Sequence, residues 1–370
     1  MLIRRFFMED WLASYKDSCP CNLGESGMPD ISVGELLKRC GSSPDILNGI
    51  VLRDHDTRGT ERLRQAISAS YGGDVPFEHI TVTTGTSEAL FVLFNILLAE
   101  RSSAVVPFPS FQALYEVPRA LGAELRMYCL TADKGFRPDP DEICGLIDDT
   151  TGVVVINSPH NPSGVLVPEE TVSAVAEKAA FHGTVVISDE HYRFLPHDAE
   201  PPLGTFASAD GTVVATGSLT KCFGVIGLRV GWIVAPPPLI ERVRDFRDYI
   251  THTLSPISDM LAALTLENTD VFIRPAIAAL RRNRDRLHDT VAATPGLSLV
   301  GPEAGVVAFP RYDYDVLTDD FARGLIERYG VFVLPGSGFE TERHFRVNLG
   351  CDPEMFTDAF DRIAGYCAGF

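Results

Sequence analysis

The sequence of 370 residues lacks any apolar run that approaches the roughly 20 residues a membrane-spanning helix needs. Arg4 and Arg5 stand among apolar residues at the N-terminus, but Glu9 and Asp10 follow too soon to leave room for the apolar core of a signal peptide. We therefore expect a cytoplasmic protein that does not associate with a membrane.

Positive charge is also scarce, because 32 lysines and arginines face 50 aspartates and glutamates, which gives a net charge of −18. So acidic a chain is a poor partner for nucleic acid, whose phosphates need a basic surface. The net charge gives no positive information about a substrate, since solubility alone accounts for it. Any bound phosphate would have to be held by local donors.

The eight cysteines are scattered, and only Cys19 and Cys21 lie close together. Their C-P-C segment lacks the second pair of ligands that a zinc site requires. We therefore predict no metal site, and we expect the cysteines to be small buried apolar residues.

Short β-branched runs alternate with helical patterns through the middle of the chain. Several runs are apolar on both faces, which is typical of a mostly parallel sheet covered by helices on both sides. The predicted strands are Ile80–Thr84, Ala104–Pro107, Glu124–Tyr128, Gly152–Asn157, Thr184–Asp189, Thr212–Gly217 and Val230–Ala235. The predicted helices are Ser87–Glu100, Phe111–Leu121, Pro140–Ile147, Pro168–Phe181 and Leu239–Arg247.

After Ser255 a long helical stretch runs to about Val291, and shorter elements follow it. The shorter elements are strands Val306–Phe309, Val331–Leu334 and Phe345–Asn348 and helices Thr318–Tyr329 and Pro353–Ala368. This change of pattern predicts a small α+β domain beside a large α/β domain. We expect the large domain over residues 47–275 and the small domain over residues 1–46 and 276–370.

Lys221 follows a predicted strand, in a turn rich in small residues. A lysine at the carboxyl end of a strand can point into the crevice where open α/β sheets bind ligands. Ser218 and Arg229 add a hydroxyl and a fixed positive charge, which together can hold a phosphate. A lone lysine would be an ordinary surface residue, but this one is accompanied by anion-binding groups.

Asp189 ends an apolar strand, where a carboxylate is costly unless it meets a positive partner. Tyr192 follows three residues later, and Asn161 lies in a turn after the preceding strand, so both can hydrogen-bond a ligand at this edge. Taken singly, these residues are equally well explained as a helix cap, a packed tyrosine and a turn residue.

Gly85, Thr86 and Ser87 lie between a predicted strand and a predicted helix. The free N–H groups at the start of that helix and the two hydroxyls form an anion site, whereas N-capping alone would explain one hydroxyl. Phe111 can stack on a flat ring, although an aromatic residue here is more often part of the core. Arg346 can clamp a carboxylate, and a structural ion pair is the competing interpretation.

These elements, in this order, resemble the fold type I enzymes that depend on pyridoxal 5′-phosphate (PLP), in particular the class I and II aminotransferase superfamily. The resemblance runs from about Asn22 to the C-terminus. It implies PLP as cofactor, an α-amino acid as substrate and a homodimer with active sites at the subunit interface. It implies that Lys221 binds the cofactor covalently and moves the proton at the substrate's α-carbon. The other implied roles are Asp189 at the ring nitrogen, Asn161 and Tyr192 at the phenolic oxygen, Phe111 on the ring, Thr86, Ser218, Arg229 and the N–H groups near Gly85 at the phosphate, and Arg346 at the α-carboxylate.

The sequence departs from such aminotransferases at two places near the substrate. Asp54 stands where the family usually has a tyrosine that reaches the partner subunit's cofactor phosphate, and Glu25 is added to the segment 22–29. Carboxylates at these places suit a cationic group such as guanidinium. Solvated surface acids in an acidic protein are an equal alternative.

The segments M-E-D-W-L, G-E-S-G-M and T-L-S-P are similar to the capreomycidine synthase group, which serves antibiotic pathways. That resemblance implies dehydration and cyclisation of 3-hydroxy-L-arginine, with Lys221 removing the α-proton and His55, Glu25 or Asp54 as the acid for the leaving hydroxyl. A plain aminotransferase is the alternative, because it needs the same cofactor-binding residues and a shared fold does not prove a shared reaction. A PLP-binding regulator is disfavoured, since the chain has no spare length for a DNA-binding module and is strongly acidic.

Overall fold

The computed structural model describes residues 3–370 and contains one large sheet, three small sheets and the helices packed on them. The strands are β1 (Cys21–Asn22), β2 (Ile80–Thr83), β3 (Ser103–Phe108), β4 (Glu124–Cys129), β5 (Thr151–Asn157), β6 (Val185–Asp189), β7 (Val213–Ser218), β8 (Gly231–Val234), β9 (Leu297–Ser298), β10 (Val307–Ala308), β11 (Arg311–Tyr312), β12 (Val331–Phe332), β13 (Leu334–Pro335) and β14 (Phe345–Asn348). The helices are α1 (Phe7–Tyr15), α2 (Val33–Arg39), α3 (Glu61–Ala69), α4 (Thr86–Leu97), α5 (Ala113–Ala120), α6 (Pro140–Gly145), α7 (Glu169–Phe181), α8 (Pro237–Arg247), α9 (Pro256–Glu267), α10 (Thr269–Ala293), α11 (Thr318–Gly324) and α12 (Pro353–Cys367).

The large sheet has seven strands in the order β2-β8-β7-β6-β5-β3-β4, and only β8 runs antiparallel to its neighbours. Residues of β5 alternate between two hydrophobic cores, with Val153 and Val155 in one and Val154 and Ile156 in the other. A strand with a core on each side must be apolar on both faces, as the sequence indicated. The predicted α/β fold with a mostly parallel sheet covered by helices is confirmed.

The long helical stretch predicted from Ser255 to Val291 is in fact two helices. Helix α9 ends at Glu267 and α10 begins at Thr269, because Asn268 adopts φ −121° and ψ 33°, outside the helical region. Pro275, which would ordinarily mark a break, lies inside α10 instead. The predicted helix Thr318–Tyr329 changes after α11 into a π-helical turn over Leu325–Tyr329.

The predicted strand Val331–Leu334 is split between two small sheets. Strand β12 pairs in parallel with β1 from the N-terminal segment, whereas β13 pairs antiparallel with β14, next to β10. The first of these pairings joins the N-terminal segment to the C-terminal part of the chain. The boundaries proposed for the two domains stay a prediction. No helix within residues 3–370 has the length and apolar character to cross a membrane.

Candidate active site

Three neighbouring parallel strands end in polar residues at one edge of the large sheet. Asn157 ends β5, Asp189 ends β6 and Ser218 ends β7. The ladder places Asn157 opposite Asp189, so these side chains begin from adjacent points. Because ligands of open α/β sheets bind beyond the carboxyl ends of the strands, this edge is where the sequence-predicted residues should meet.

A cavity of about 440 Å³ opens at this edge. Most of the residues that the sequence singled out line it: Glu25, Thr86, Ser87, Phe111, Asn161, Asp189, Tyr192, Ser218, Lys221, Arg229 and Arg346. These residues come from positions more than 300 apart in the chain. The fold therefore brings together one basic amine, two guanidinium groups, two carboxylates and several hydroxyls around a space of ligand size.

Lys221 lies in the cavity wall and is half-buried. Burial and, to a smaller extent, the positive charge of Arg346 lower the pKa of this lysine to about 8, although Glu9 and Glu25 oppose the shift. Burial disfavours the ammonium form because a charge loses its hydration there. The uncharged amine, which is the nucleophilic form, is thus accessible close to neutral pH.

Asp189 is 1% exposed and is held by three side chains. Thr216 Oγ1 donates to Asp189 Oδ1 over 2.9 Å, Asn157 Nδ2 lies 3.4 Å from Oδ2, and His191 Nδ1 lies 3.2 Å from Oδ2. Among the described residues no lysine or arginine pairs with this carboxylate. A buried carboxylate with hydrogen-bond donors but no strong cation suits a ligand that brings its own positive charge.

Another part of the cavity wall offers donors for an anion. Gly85, with φ 78° and ψ 167°, precedes helix α4 in a conformation that is essentially restricted to glycine. A Cβ added there would lie 2.7 Å from Arg229 Nη2, so the guanidinium packs against the start of the helix. Ser218 Oγ and Thr220 Oγ1 are 2.9 Å apart on the neighbouring turn. The N–H groups of the first helical turn, a guanidinium and these hydroxyls fit a phosphate.

Arg346 lies in β14 and is 2% exposed. Its Nη2 donates to the Gly24 carbonyl over 2.8 Å and its Nη1 to Asn161 Oδ1 over 3.2 Å, while Nε has no partner within residues 3–370. Burial lowers the pKa of Arg346 to about 10. The structural ion pair considered from the sequence is not formed in the described structure, which leaves a buried guanidinium without an anion.

Tyr192 and Asn161, which were predicted to contact a ligand, form hydrogen bonds to other groups of the protein. The Tyr192 hydroxyl donates to the Ser26 carbonyl over 3.0 Å, and burial raises the pKa of Tyr192. Because the oxygen of the Asn161 amide accepts from Arg346, its NH₂ group is the part left to donate towards the cavity. Phe111 also lines the cavity, and its ring centroid is 5.4 Å from that of Phe6. The roles of these residues towards a cofactor stay predictions.

Asp54 and His55 do not reach the cavity of their own chain. Asp54 Oδ1 instead accepts from Thr253 Oγ1 over 3.1 Å, and His55 Nδ1 lies 3.1 Å from the Asp56 carbonyl. The resemblance places this segment near the partner subunit's cofactor, so their predicted role depends on a dimer and stays untested.

Sequence reasoning missed helix α1 and several residues next to predicted ones. Met8, Glu9 and Leu12 line the cavity from α1, and Lys16 lines it from the position that follows the helix; the missed residues elsewhere in the wall include Asp30, His191 and Thr220. A signal for His191 was present, since it follows Asp189 by two residues at a strand end. No local pattern indicated which part of the molecule α1 would cover.

A model of the family "Aminotransferase class I and II" matches residues 47–363. Capreomycidine synthase of Streptomyces vinaceus is 34% identical over 94% of this chain and 90% of its own length. Arginine–pyruvate transaminase of Pseudomonas aeruginosa is 31% identical over 84% of this chain and 81% of its own length. Among solved structures, the PLP-dependent cyclase OrfR has a TM-score of 0.90 and 28% identity, covering 100% of this chain and 98% of that one.

Proposed function

We propose a reaction for this chain, which belongs to the class I and II aminotransferase family. The proposed reaction is the dehydration and cyclisation of 3-hydroxy-L-arginine to a cyclic guanidino amino acid of the capreomycidine type, in antibiotic biosynthesis. The observation that carries this proposal is the similarity to capreomycidine synthase along nearly the whole chain. The similarity of fold to a PLP-dependent cyclase supports it. So does Glu25, a carboxylate added to the family's usual pattern, which lines the cavity.

PLP is the cofactor of this enzyme, and the residues of the cavity fit it. Lys221 supplies an amine of lowered pKa, Asp189 a buried carboxylate for the ring nitrogen, and Arg229 with the start of α4 the phosphate donors. When bound, PLP supplies an electron sink for negative charge that develops at the substrate's α-carbon.

The chain's own residues then bind the substrate and move its protons. Arg346 binds the α-carboxylate by charge-assisted hydrogen bonds. Lys221 removes the proton from the α-carbon and later returns it, as a general base and acid. Glu25 orients the guanidinium towards the β-carbon. The bond from the β-carbon to oxygen breaks, a bond from the β-carbon to a guanidino nitrogen forms, and the hydroxyl leaves as water with the proton that this nitrogen loses.

The leaving hydroxyl needs a general acid, and the sequence offers Glu25, Asp54 and His55. Of these, Glu25 is the one that lines the cavity of its own chain. Asp54 and His55 would have to act from the partner subunit. We therefore favour Glu25 for this proton transfer: its carboxylate takes a proton from the guanidinium that it binds and passes it to the leaving hydroxyl, so the carboxylate is ionised again at the end.

An arginine aminotransferase is the second candidate, supported by the similarity to arginine–pyruvate transaminase. That reaction would use Lys221, Asp189 and Arg346 in the same positions and would move the amino group to a 2-oxo acid. The two candidates share the substrate's guanidinium and differ in the fate of the α-amino group.

A product assay separates the two. The PLP-loaded protein is incubated with 3-hydroxyarginine in the absence of any 2-oxo acid, and the amino acid is followed by mass spectrometry. We expect the loss of one water with the α-amino group retained and a ring visible by NMR. A protein that reacts only after a 2-oxo acid is added, with transfer of the amino group, would be an aminotransferase.

A further inference from the structure

Helix α1 is fixed over the mouth of the cavity by contacts to two distant parts of the chain. Gln112 accepts from the Phe7 N–H over 3.1 Å and donates to the Arg5 carbonyl over 2.9 Å. At the other side Met8 Sδ lies 3.8 Å from Nη1 of Arg346, the arginine proposed to bind the α-carboxylate. The helix therefore contacts both the loop beside the cofactor-stacking Phe111 and the buried arginine.

Glu9 is the acidic residue that α1 presents to the cavity. It lines the wall beside Met8, and no ion pair or hydrogen bond engages its carboxylate within residues 3–370. The neighbouring Asp10 does not line the cavity and pairs with Arg5 over 2.6 Å. Two consecutive carboxylates on one helix thus have opposite surroundings, one satisfied and one open to the cavity.

Once the cofactor and the α-carboxylate of the substrate are bound, Glu9 is still without an ion-pair partner. Arg229 is matched by the phosphate, Arg346 by the α-carboxylate, and Asp189 by the ring nitrogen. The negative charges of Glu9 and Glu25 both raise the pKa of Lys221, because both carboxylates line the same cavity as the amine. Lys16 is the remaining cation of the wall, and it forms no ion pair with either glutamate in the described structure.

We propose that Glu9 is a specificity-determining residue that binds the cationic end of the substrate's side chain from helix α1, together with Glu25, which lines the same cavity. This inference rests on the proposed function, since it assumes a substrate with a guanidinium. A guanidinium presents five N–H donors in a fixed plane, so two carboxylates can engage it from different sides. Both carboxylates are exposed, so a neutral side chain would leave them hydrated at little cost, and the preference for a cation comes from the attraction itself.

The test uses the matched substitutions Glu9→Gln and Asp10→Asn, which remove the same charge from adjacent positions of one helix. The PLP-loaded variants are titrated with L-arginine and with L-citrulline, its neutral analogue of equal length, and binding is followed by the change in cofactor absorbance. For Glu9→Gln we expect arginine to bind about 2- to 5-fold more weakly, the range for an ion pair made by an exposed carboxylate, with citrulline little changed. For Asp10→Asn we expect both ligands to bind as in the wild type.

The other possible outcomes separate the role of Glu9 from the identity of the substrate. Equal behaviour of the two variants, in a wild-type protein that prefers arginine to citrulline, would overturn the role of Glu9 and leave the guanidino substrate standing. Equal loss of arginine and citrulline binding in Glu9→Gln would make α1 a steric cover and overturn its role in specificity. A wild-type protein that binds citrulline or L-aspartate as well as arginine would overturn the guanidino substrate itself.

Discussion

Replacing Gly85 by alanine tests the proposed phosphate site through a single added methyl group. The added Cβ would lie 2.7 Å from Arg229 Nη2, closer than non-bonded atoms tolerate, so the guanidinium must move. The backbone also resists the change, because φ 78° with ψ 167° is a region that costs a residue with a side chain about 1–3 kcal/mol. The substitution therefore lowers the stability of the cofactor-free protein and, separately, weakens cofactor binding.

The second effect can be expressed as a change in ligand-linked stability. Displacement of one charge-assisted hydrogen bond weakens PLP binding by about 10- to 100-fold. At a PLP concentration of about 100 times the wild-type Kd, the cofactor stabilises the wild type by about 2.7 kcal/mol. The same concentration would stabilise Gly85→Ala by only about 1.4 kcal/mol for a 10-fold loss and about 0.4 kcal/mol for a 100-fold loss.

The assay is urea unfolding with and without PLP, and Gly73→Ala is the control. Gly73 also has a positive φ, 84°, but an added Cβ would meet no atom within 4 Å. We expect both variants to be less stable without PLP, and only Gly85→Ala to lose the gain in stability that PLP provides. If Gly85→Ala keeps the full PLP-dependent gain, Arg229 does not hold the phosphate at the start of α4.

Three further predictions concern the amine of Lys221, the carboxylate of Asp189 and the packing of Gly217 against Trp232. Below pH 8 Lys221 is protonated in the folded and in the unfolded chain, and burial of its charge destabilises the fold in full; between pH 8 and 10.5 only the unfolded chain keeps the proton. The cofactor-free wild type should therefore gain stability relative to Lys221→Met as the pH rises from 8 to 10.5. A difference in urea unfolding that stays constant over this range would contradict the lowered pKa. Asp189→Ala should still take up PLP but lose about 100-fold or more in turnover, because the charged ring nitrogen has no carboxylate, and near-normal turnover would exclude that role. Gly217→Ala should cost about 1–3 kcal/mol of unfolding free energy, since its Cβ would lie 2.6 Å from the buried indole of Trp232, and unchanged stability would show that the indole can shift.

The large sheet and its functional edge could be predicted from sequence because the relevant signals are local. Runs of β-branched residues such as those of β5 and β6 are apolar on both faces, and the polar residue that ends each run marks the edge of the sheet. Asp189 ends β6, and Lys221 lies in the turn that follows the end of β7 at Ser218, so their neighbourhood follows from the parallel arrangement of the two strands.

The break between α9 and α10 could not be predicted in this way. Apolar residues continue a helical pattern on both sides of Asn268, and although asparagine favours helix caps over helix interiors, this single residue does not outweigh that pattern. Its side-chain Nδ2 donates to the Leu264 carbonyl over 2.9 Å, which satisfies a group at the end of α9. The break is set by how the two helices pack against different parts of the chain, whereas Pro275 is accommodated inside a helix.

The position of α1 was also beyond local reasoning, and this is the part of the site that bears on specificity. The contacts that fix it join residues 105 and 338 positions apart, Phe7 to Gln112 and Met8 to Arg346. The sequence analysis placed no helix in this segment, and the pair Glu9–Asp10 does not by itself show that Glu9 lines the cavity while Asp10 pairs with Arg5.

The same distinction explains why cofactor chemistry is easier to infer than the reaction. The groups proposed to hold PLP lie at strand ends and at one helix start, and a cyclase and an aminotransferase need all of them. The groups that would select a guanidinium, Glu9 and Glu25, lie on the N-terminal segment, which the fold brings over the cavity from outside the large sheet. A substitution at Asp189 or Lys221 therefore tests the family's shared chemistry, whereas substitutions at Glu9 and Glu25 test which amino acid the enzyme accepts.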